Sequence, residues 1–450
     1  MHIHYDIKTP GATQTLLDVK KKFTMTNFYF KCGRSWFASG LLFFCAAAAL
    51  AQQPCAADVV AEQNALRLPY LTAVREKLQQ KMDTAMAQPD WVLPRAVIRI
   101  PVVVHVVYIG LLENISDDQI QSQLDVLNED FRKDNPDINI VPPVFAPLAA
   151  DAEITFCLAN RDPMGAPSTG ITRVQTTWNN IGQQKAPDGR PRVHYTDLGG
   201  QDAWDPAHYL NIWVARVGDN ILGYGTFPGT APPAEDGVVI DPRYFGRNGL
   251  AALYPPHHLG RTATHEVGHY LNLRHIWGGS ANTCNDDDDV ADTPVQRSAY
   301  SGCPVHPQLS CGNTAMFMNF MDYTDDACMA MFTTGQKTRM RAALMVARPG
   351  LISDDIPCAI SPVEAPGTST IIQVSPNPVG STMNIYLEQP LDAPVQISVF
   401  DLLGRVWQVQ NEMDGSGNIL VLNTAILPAG AYYVCIGFKQ AMYTAPFIKL

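Results

Sequence analysis

The sequence predicts an α/β domain, built on a twisted mixed sheet with a backing helix and a second helix rich in histidine, followed by a small C-terminal antiparallel β-sandwich. Three observations carry this. A continuous β-branched run, "VIRIPVVVHVVY" from Val97, reads as a strand buried on both faces. Directly after it, "SDDQIQSQLDVLNEDF" opens with Ser116 and Gln119 at capping-box spacing and places Ile120, Leu124, Leu127 and Phe131 on one helical face. Towards the C-terminus, Pro, Ser and Gly accumulate, and then short alternating segments appear, among them "MNIYLE", "VQISVF" and "AYYVCIGF". At 450 residues the chain exceeds one ordinary domain, so two folded units plus processing segments are expected.

In chain order, "KCGRSWFASGLLFFCAAAALAQQP" joins a basic lead, an apolar run and small residues at Ala49 and Ala51, the layout of a signal peptide over residues 1–51 cut after Ala51. The run of about fifteen apolar residues is shorter than the roughly 20 that span a bilayer. Residues 52–95 are helical in pattern, with Leu66, Leu71, Val74 and Leu78 near helical spacing, and are expected to be a pro-segment. The α/β domain occupies 96–350. Further strands are expected at "AEITFCLA", "LNIWVARV" and "DGVVID", with an exposed, substrate-binding edge strand around Leu222, Gly223 and Tyr224 in "GDNILGYGTFPG". A linker at 351–370 leads to the β-sandwich at 371–450.

Composition narrows the partners. With 43 Asp and Glu against 32 Lys and Arg, the chain carries a net charge of -11 and offers no basic stripe to a phosphate backbone, which argues against nucleic acid. Eight cysteines remain after the signal: Cys55, Cys157, Cys284, Cys303, Cys311, Cys328, Cys358 and Cys435. In an exported protein the crowding of four of them between 284 and 328 reads as disulfides, with three pairings open.

The stretch "HEVGHYLNLRH" carries the chemistry. On a helix, His265 and His269 project from one face a turn apart, with Glu266 beside the first, which is the arrangement H-E-x-x-H of zinc hydrolases. A third ligand must come from off the helix axis. Asn272 tolerates the left-handed conformation that ends a helix, so His275 can return to the metal. Zinc on three neutral imidazoles keeps an open position and lowers the pKa of bound water to about 7, and Glu266 is placed to take that proton and pass it to a leaving amine. The reaction implied is peptide hydrolysis. The alternatives are a helix with solvated histidines, a metal-dependent hydrolase of another amide, and a non-catalytic, metal-stabilised surface binding protein or adhesin. Glu266 argues against the last, because a structural zinc needs no such carboxylate. His105, in the buried strand, reads as a core residue, and His257 and His258 as surface residues.

The motif resembles the extended zinc signature H-E-x-x-H-x-x-G-x-x-H of metzincin metalloproteases, with Asn272 where most carry glycine. In detail the chain is similar to the pappalysin family, through "VLNEDFRKDNPD", "ITFCLANRDP", "GRTATHEVGH" and "NFMDYTDDACM". The resemblance implies an α/β metzincin catalytic domain and secreted zinc endopeptidase activity on protein or peptide substrates, with a monomer expected. It also implies Met321 in a Met-turn beneath the zinc and Tyr323 as a stabiliser of the oxyanion. Calcium is implied in the loop after the zinc helix, through Asp288, Asp292 and Thr293, and so are the pairings Cys284 with Cys311 and Cys303 with Cys328. Cys55, in "PCAAD", is a candidate for holding the enzyme latent by occupying the open zinc position. Ala327 stands where arginine-preferring relatives would be expected to have an acid, although Asp325 and Asp326 are near. The tail, with "VSPNP", "VFDLLGR" and "LPAGAYYVCIGF", resembles the sorting domain of type IX secretion cargo. That implies the type IX machinery as a partner and an extracellular or outer-membrane-surface location; an adhesion or carbohydrate-binding sandwich is the alternative.

Overall fold

The computed structural model describes residues 55–88, 96–218, 220–279, 282–352, 373–386, 396–401, 406, 407, 409–413, 419–438 and 441–450. The expected signal peptide, Arg95 and nearly all of the expected linker lie outside them. The elements that position the site are α1 (Ala57–Arg67), α2 (Tyr70–Met86), β1 (Ile98–Tyr108), α3 (Asp117–Phe131), β2 (Ile154–Leu158), β3 (Ile171–Gln175), β4 (Leu210–Ala215), β5 (Gly223–Gly225), β6 (Val238–Ile240), α4 (Arg261–Tyr270) and α5 (Thr334–Val346).

β1 is the spine of the sheet. Its first half pairs in parallel with β2 and its second half with β3, while β4 runs parallel along its other edge. The order is β2, β1, β4, β6, β5, and β5 closes the sheet antiparallel to β6. Burial of both faces is why β1 reads as unbroken apolar sequence: Ile100, Val102, Val104 and Val106 enter the main core, and Val103 and Val107 enter smaller clusters on the other side. β3 had no expectation behind it. "ITRVQ" is short, lacks alternation, and is a strand because β1 is long enough to template it.

α3 packs its face of Ile120, Leu124, Leu127 and Phe131 into the main core beside Ala263, Val267 and Tyr270 of α4. Only half of the capping box forms. Ser116 Oγ accepts from Gln119 N at 3.1 Å, but the Gln119 side chain donates to the carbonyls of Pro242 and Phe245, fastening the loop that leads to α4. A complete capping box appears instead at Thr333 and Gln336, which start α5.

Residues 55–86 form two helices rather than one long pattern, because the chain breaks at Leu68 and Pro69 and the helical phase resets. Of the four apolar residues singled out above, only Leu71 is buried; Leu66 and Val74 are exposed. Met82 is the second buried anchor of α2, which packs on α5. The expected exposed edge is also corrected: Leu222 and Tyr224 are buried, because Cys55 bridges Gly223 and Ala56 N donates to Gly223 O at 3.1 Å. Cys55 and Ala56, just ahead of α1, cover the sheet edge.

The described C-terminal residues form two four-stranded antiparallel sheets. One contains Gln373–Ser375, Thr382–Tyr386, Gln410–Met413 and Ile419–Asn423; the other contains Gln396–Asp401, Val406–Trp407, Gly430–Phe438 and Ala441–Lys449. Val379, Met383, Ile385, Leu422, Val434, Ile436 and Phe447 share their core.

Candidate metal centre

α4 begins after Gly260, held in the left-handed region at φ 83°, and all ten of its residues are buried. Its end is built as the sequence implies. Asn272 sits at φ 74°, and Leu273 N donates back to Gly268 O at 2.9 Å, closing a Schellman-type turn that redirects the chain so that His275 returns to the helix. Glycine is required at 268, since a Cβ there would lie 2.5 Å from the Met321 sulfur. Met321 therefore sits directly beneath the helix, in the place expected of a Met-turn.

Three imidazoles converge. His269 Nε2 lies 3.1 Å from the Nε2 of both His265 and His275. His265 Nδ1 donates to Phe320 O and His269 Nδ1 to Leu273 O, each at 2.7 Å, which fixes the tautomer and leaves each Nε2 with a free lone pair. Burial together with the neighbouring histidines pushes His269 down to about 3 and His265 well down, so the rings stay neutral. Neutral, buried, convergent nitrogens with anchored far sides fit a zinc ion. Among the described residues this is the one place where three or more His, Cys, Asp or Glu ligand atoms gather so closely, and its fourth member is Cys55 Sγ, with all four atoms within 4.8 Å of one another.

Cys55 also reaches the Glu266 carboxylate. Its thiol donates to Glu266 Oε2 at 3.3 Å. Burial, reinforced by Glu266, pushes the thiol well up, and burial pushes Glu266 up to about 8. Tyr323 is half-buried, its hydroxyl 3.0 Å from His275 Nε2, and burial raises its pKa as well.

Several neighbours of the site either drew no attention in the sequence or were not placed beside the histidines by it. Asp58, three residues after Cys55, lies with Oδ2 3.2 Å from His275 Nδ1, so α1 supplies the partner of the third histidine. Trp277 stacks on His275 at 4.5 Å and 5°. Asp322 is fully buried and accepts from Tyr300 N, Tyr323 N and Gln296 Nε2, which orients the turn carrying Met321 and Tyr323. His257, expected at the surface, is half-buried and lines a pocket beside His265, Glu266, Tyr323 and Asp326. Asp326 itself accepts from Leu259 N at 2.8 Å ahead of α4. The available signals were the Cys-x-x-Asp spacing in "PCAAD" and the acids flanking Tyr323; neither specifies a partner without the fold. His105 is a satisfied core residue, bonded to Thr172 at 2.8 Å and Asn211 at 2.9 Å.

At the edge strand, Leu222 lines the same pocket as Glu266, and a Cβ on Gly223 would meet Glu266 Cγ at 3.3 Å. The Tyr224 side chain points elsewhere, packing with Trp213 and Val239 and donating to Gly182 O at 3.0 Å. In the loop after α4, Asp288 is buried with Oδ1 bonded to Thr293 Oγ1 at 2.6 Å and Oδ2 without a protein partner. Asp292 is not beside them in role: its two oxygens accept from Thr333 Oγ1 at 2.7 Å and Gly335 N at 2.8 Å, capping α5. Disulfides join Cys284 to Cys311 and Cys303 to Cys328.

Residues 195–345 match the family model described as pregnancy-associated plasma protein-A, and residues 373–449 match that of the secretion system C-terminal sorting domain. The extracellular metalloprotease 1 of Coccidioides posadasii is 41% identical over 138 residues, 29% of this chain and 48% of that protein, so the chain spans about half of that relative's length. Mature mirolysin of Tannerella forsythia, solved with a cleaved peptide, is 48% identical with a TM-score of 0.54, covering 58% of this chain and 97% of that one. A promirolysin mutant from the same organism is 43% identical with a TM-score of 0.59, covering 67% and 97%.

Proposed function

The chain belongs to the pappalysin family of zinc metalloendopeptidases and ends in a secretion sorting domain, and from that premise we propose that His265, His269 and His275 hold the zinc while Glu266 and Tyr323 carry the proton and charge transfers of peptide hydrolysis. The observation that carries the reading is the convergence of three Nε2 atoms whose far nitrogens are anchored, with Glu266 one residue from the first. Bound there, zinc would supply a Lewis acid that polarises the scissile carbonyl and makes water acidic near pH 7. The Glu266 carboxylate takes a proton from the attacking water and delivers it to the leaving amine. The Tyr323 hydroxyl donates to the carbonyl oxygen as negative charge develops on it. Leu222 and Gly223 flank the bound peptide, whose backbone adds to the edge strand β5; Tyr224 serves through its backbone, its side chain being committed to packing. The cleaved peptide held by mirolysin supports an endopeptidase substrate of this extended kind.

Residues 52–95 act as a pro-segment. Cys55 blocks the site twice, by standing at the open metal position and by occupying the Glu266 carboxylate. Calcium is held in the loop after α4 through Asp288 and Thr293, for which the unpartnered buried oxygen of Asp288 is the support; Asp292 is left to α5. The deciding experiment is cleavage of a denatured protein by the purified secreted chain, with zinc quantified, beside Glu266→Ala and Cys55→Ser. Wild type should cut after processing and stop with a zinc chelator. Glu266→Ala should keep its zinc and lose about 10²- to 10⁴-fold in rate, and Cys55→Ser should cut before processing. A processed, zinc-loaded wild type that cuts no peptide would hand the chain to the non-catalytic reading.

A further inference from the structure

α1 begins at the histidines and ends on a buried acid. Arg67, its last residue, is ion-paired with Glu235, whose side chain is 2% exposed, and is steadied by Asn64 Oδ1 at 3.0 Å. The other Glu235 oxygen accepts from the Tyr195 hydroxyl at 2.7 Å. Beside this pair lies a cavity of about 440 Å³, lined by Gln63, Asn64, Lys185, His194, Tyr224 and Glu235. With α1 in place the nearby cations have other partners: Arg190 is bonded to Asp188 and Asp197, and Lys185 to Gln63 of α1 at 2.6 Å. Glu235 thus depends on a cation from the pro-segment.

The cavity also lies along the path a substrate would take. Gly223 packs against Glu266, and β5 leads from there to Thr226, the next residue after the strand, whose hydroxyl is bonded to Asp236, the residue after Glu235. A peptide added antiparallel to β5 therefore approaches the cavity with residues on the N-terminal side of the scissile bond. The 11 residues of α1 rise about 16 Å, at about 1.5 Å per residue. An extended chain covers that length in about five residues. When α1 leaves, Glu235 loses the cation paired with it, and a basic ligand can restore a charge-assisted pair.

We propose that Glu235, with Tyr195, forms a subsite of the mature enzyme that takes an arginine or lysine side chain about four to six residues before the scissile bond, the place held by Arg67 in the zymogen. This rests on the pro-segment reading, so mass spectrometry must first confirm that α1 is gone. The probes are peptides carrying arginine, or its uncharged isostere citrulline, at the fourth, fifth or sixth residue before the bond. At one position arginine should raise kcat/KM about tenfold, through KM, as expected for a charge-assisted pair. Glu235→Gln should abolish the difference while leaving cleavage of the citrulline peptide unchanged. Calorimetric binding to zinc-loaded, processed Glu266→Ala should give the same ratio. If no peptide is cut, the peptidase reading fails, yet the binding ratio still decides the subsite. Equal binding of arginine and citrulline peptides, as would follow if Lys185 swings onto Glu235, overturns the proposal, and so does a ratio that survives Glu235→Gln.

Discussion

Tyr323 and Glu266 face the same small volume from opposite elements, but their replacements should fail differently. Removing the Tyr323 hydroxyl takes away a donor useful only once the carbonyl oxygen becomes charged, so Tyr323→Phe should lower kcat by about 10²-fold with KM little changed. The ring would keep its packing against His275 and Trp277, so zinc content should hold. A proportionate rise in KM would mean instead that the tyrosine binds substrate. Glu266 was visible in the zinc motif, and Tyr323 only through the family resemblance. Asp58, Asp322 and Trp277 were not, since an acid or a tryptophan becomes a partner of His275 or of the Met-turn only when distant segments meet.

Among the elements, the stop of α4 is the most exacting. Asn272 at φ 74° is what returns His275 to the other two histidines, and its side chain is bonded to Arg75 and Gln79 of α2. An alanine in the left-handed region costs about 1–2 kcal/mol. Asn272→Ala should therefore lower the melting temperature and weaken zinc retention, whereas Asn272→Gly should retain zinc in the processed form; competition with a chromogenic chelator measures both. Equal zinc affinity in all three proteins would detach the turn from the metal. In the loop that follows, the proposed calcium site makes its own demand. Removing calcium, with zinc kept saturated, should lower the wild-type melting temperature, and Asp288→Asn should be insensitive to calcium. An effect that persists in Asp288→Asn would relocate the ion. The disulfides Cys284–Cys311 and Cys303–Cys328 tie this region together, and each closed loop contributes on the order of 3 kcal/mol.

At the scale of the molecule, the buried histidines outside the metal centre give stability a pH dependence. Burial holds His105 down to about 4 and His194 to about 3, against 6.5 when unfolded. The unfolded chain therefore binds protons that the native one refuses, and this contribution is complete above pH 6.5 and lost as pH falls towards 4. Buried Asp130 and Asp322, pushed up to about 7, act in the opposite sense by holding protons in the native state. The informative quantity is thus a difference: between pH 7 and 5 wild type should lose about 2 kcal/mol more than His105→Gln, read from denaturant midpoints. Identical losses would remove His105 from the account. Alone, the sequence determined what depends on local periodicity and local chemistry: the spine strand, the backing helix, three histidines at helix-and-return spacing with Glu266 between them, and a β-rich tail. Tertiary structure decided what depends on chain segments meeting: the covered edge at Gly223, the approach of Cys55 and Asp58 to the histidines, the bonding of Asp292 to the start of α5, and the pairing of Arg67 with Glu235. Periodicity is written in neighbouring residues, but which buried polar group meets which partner is fixed only when the core closes and each must find a partner.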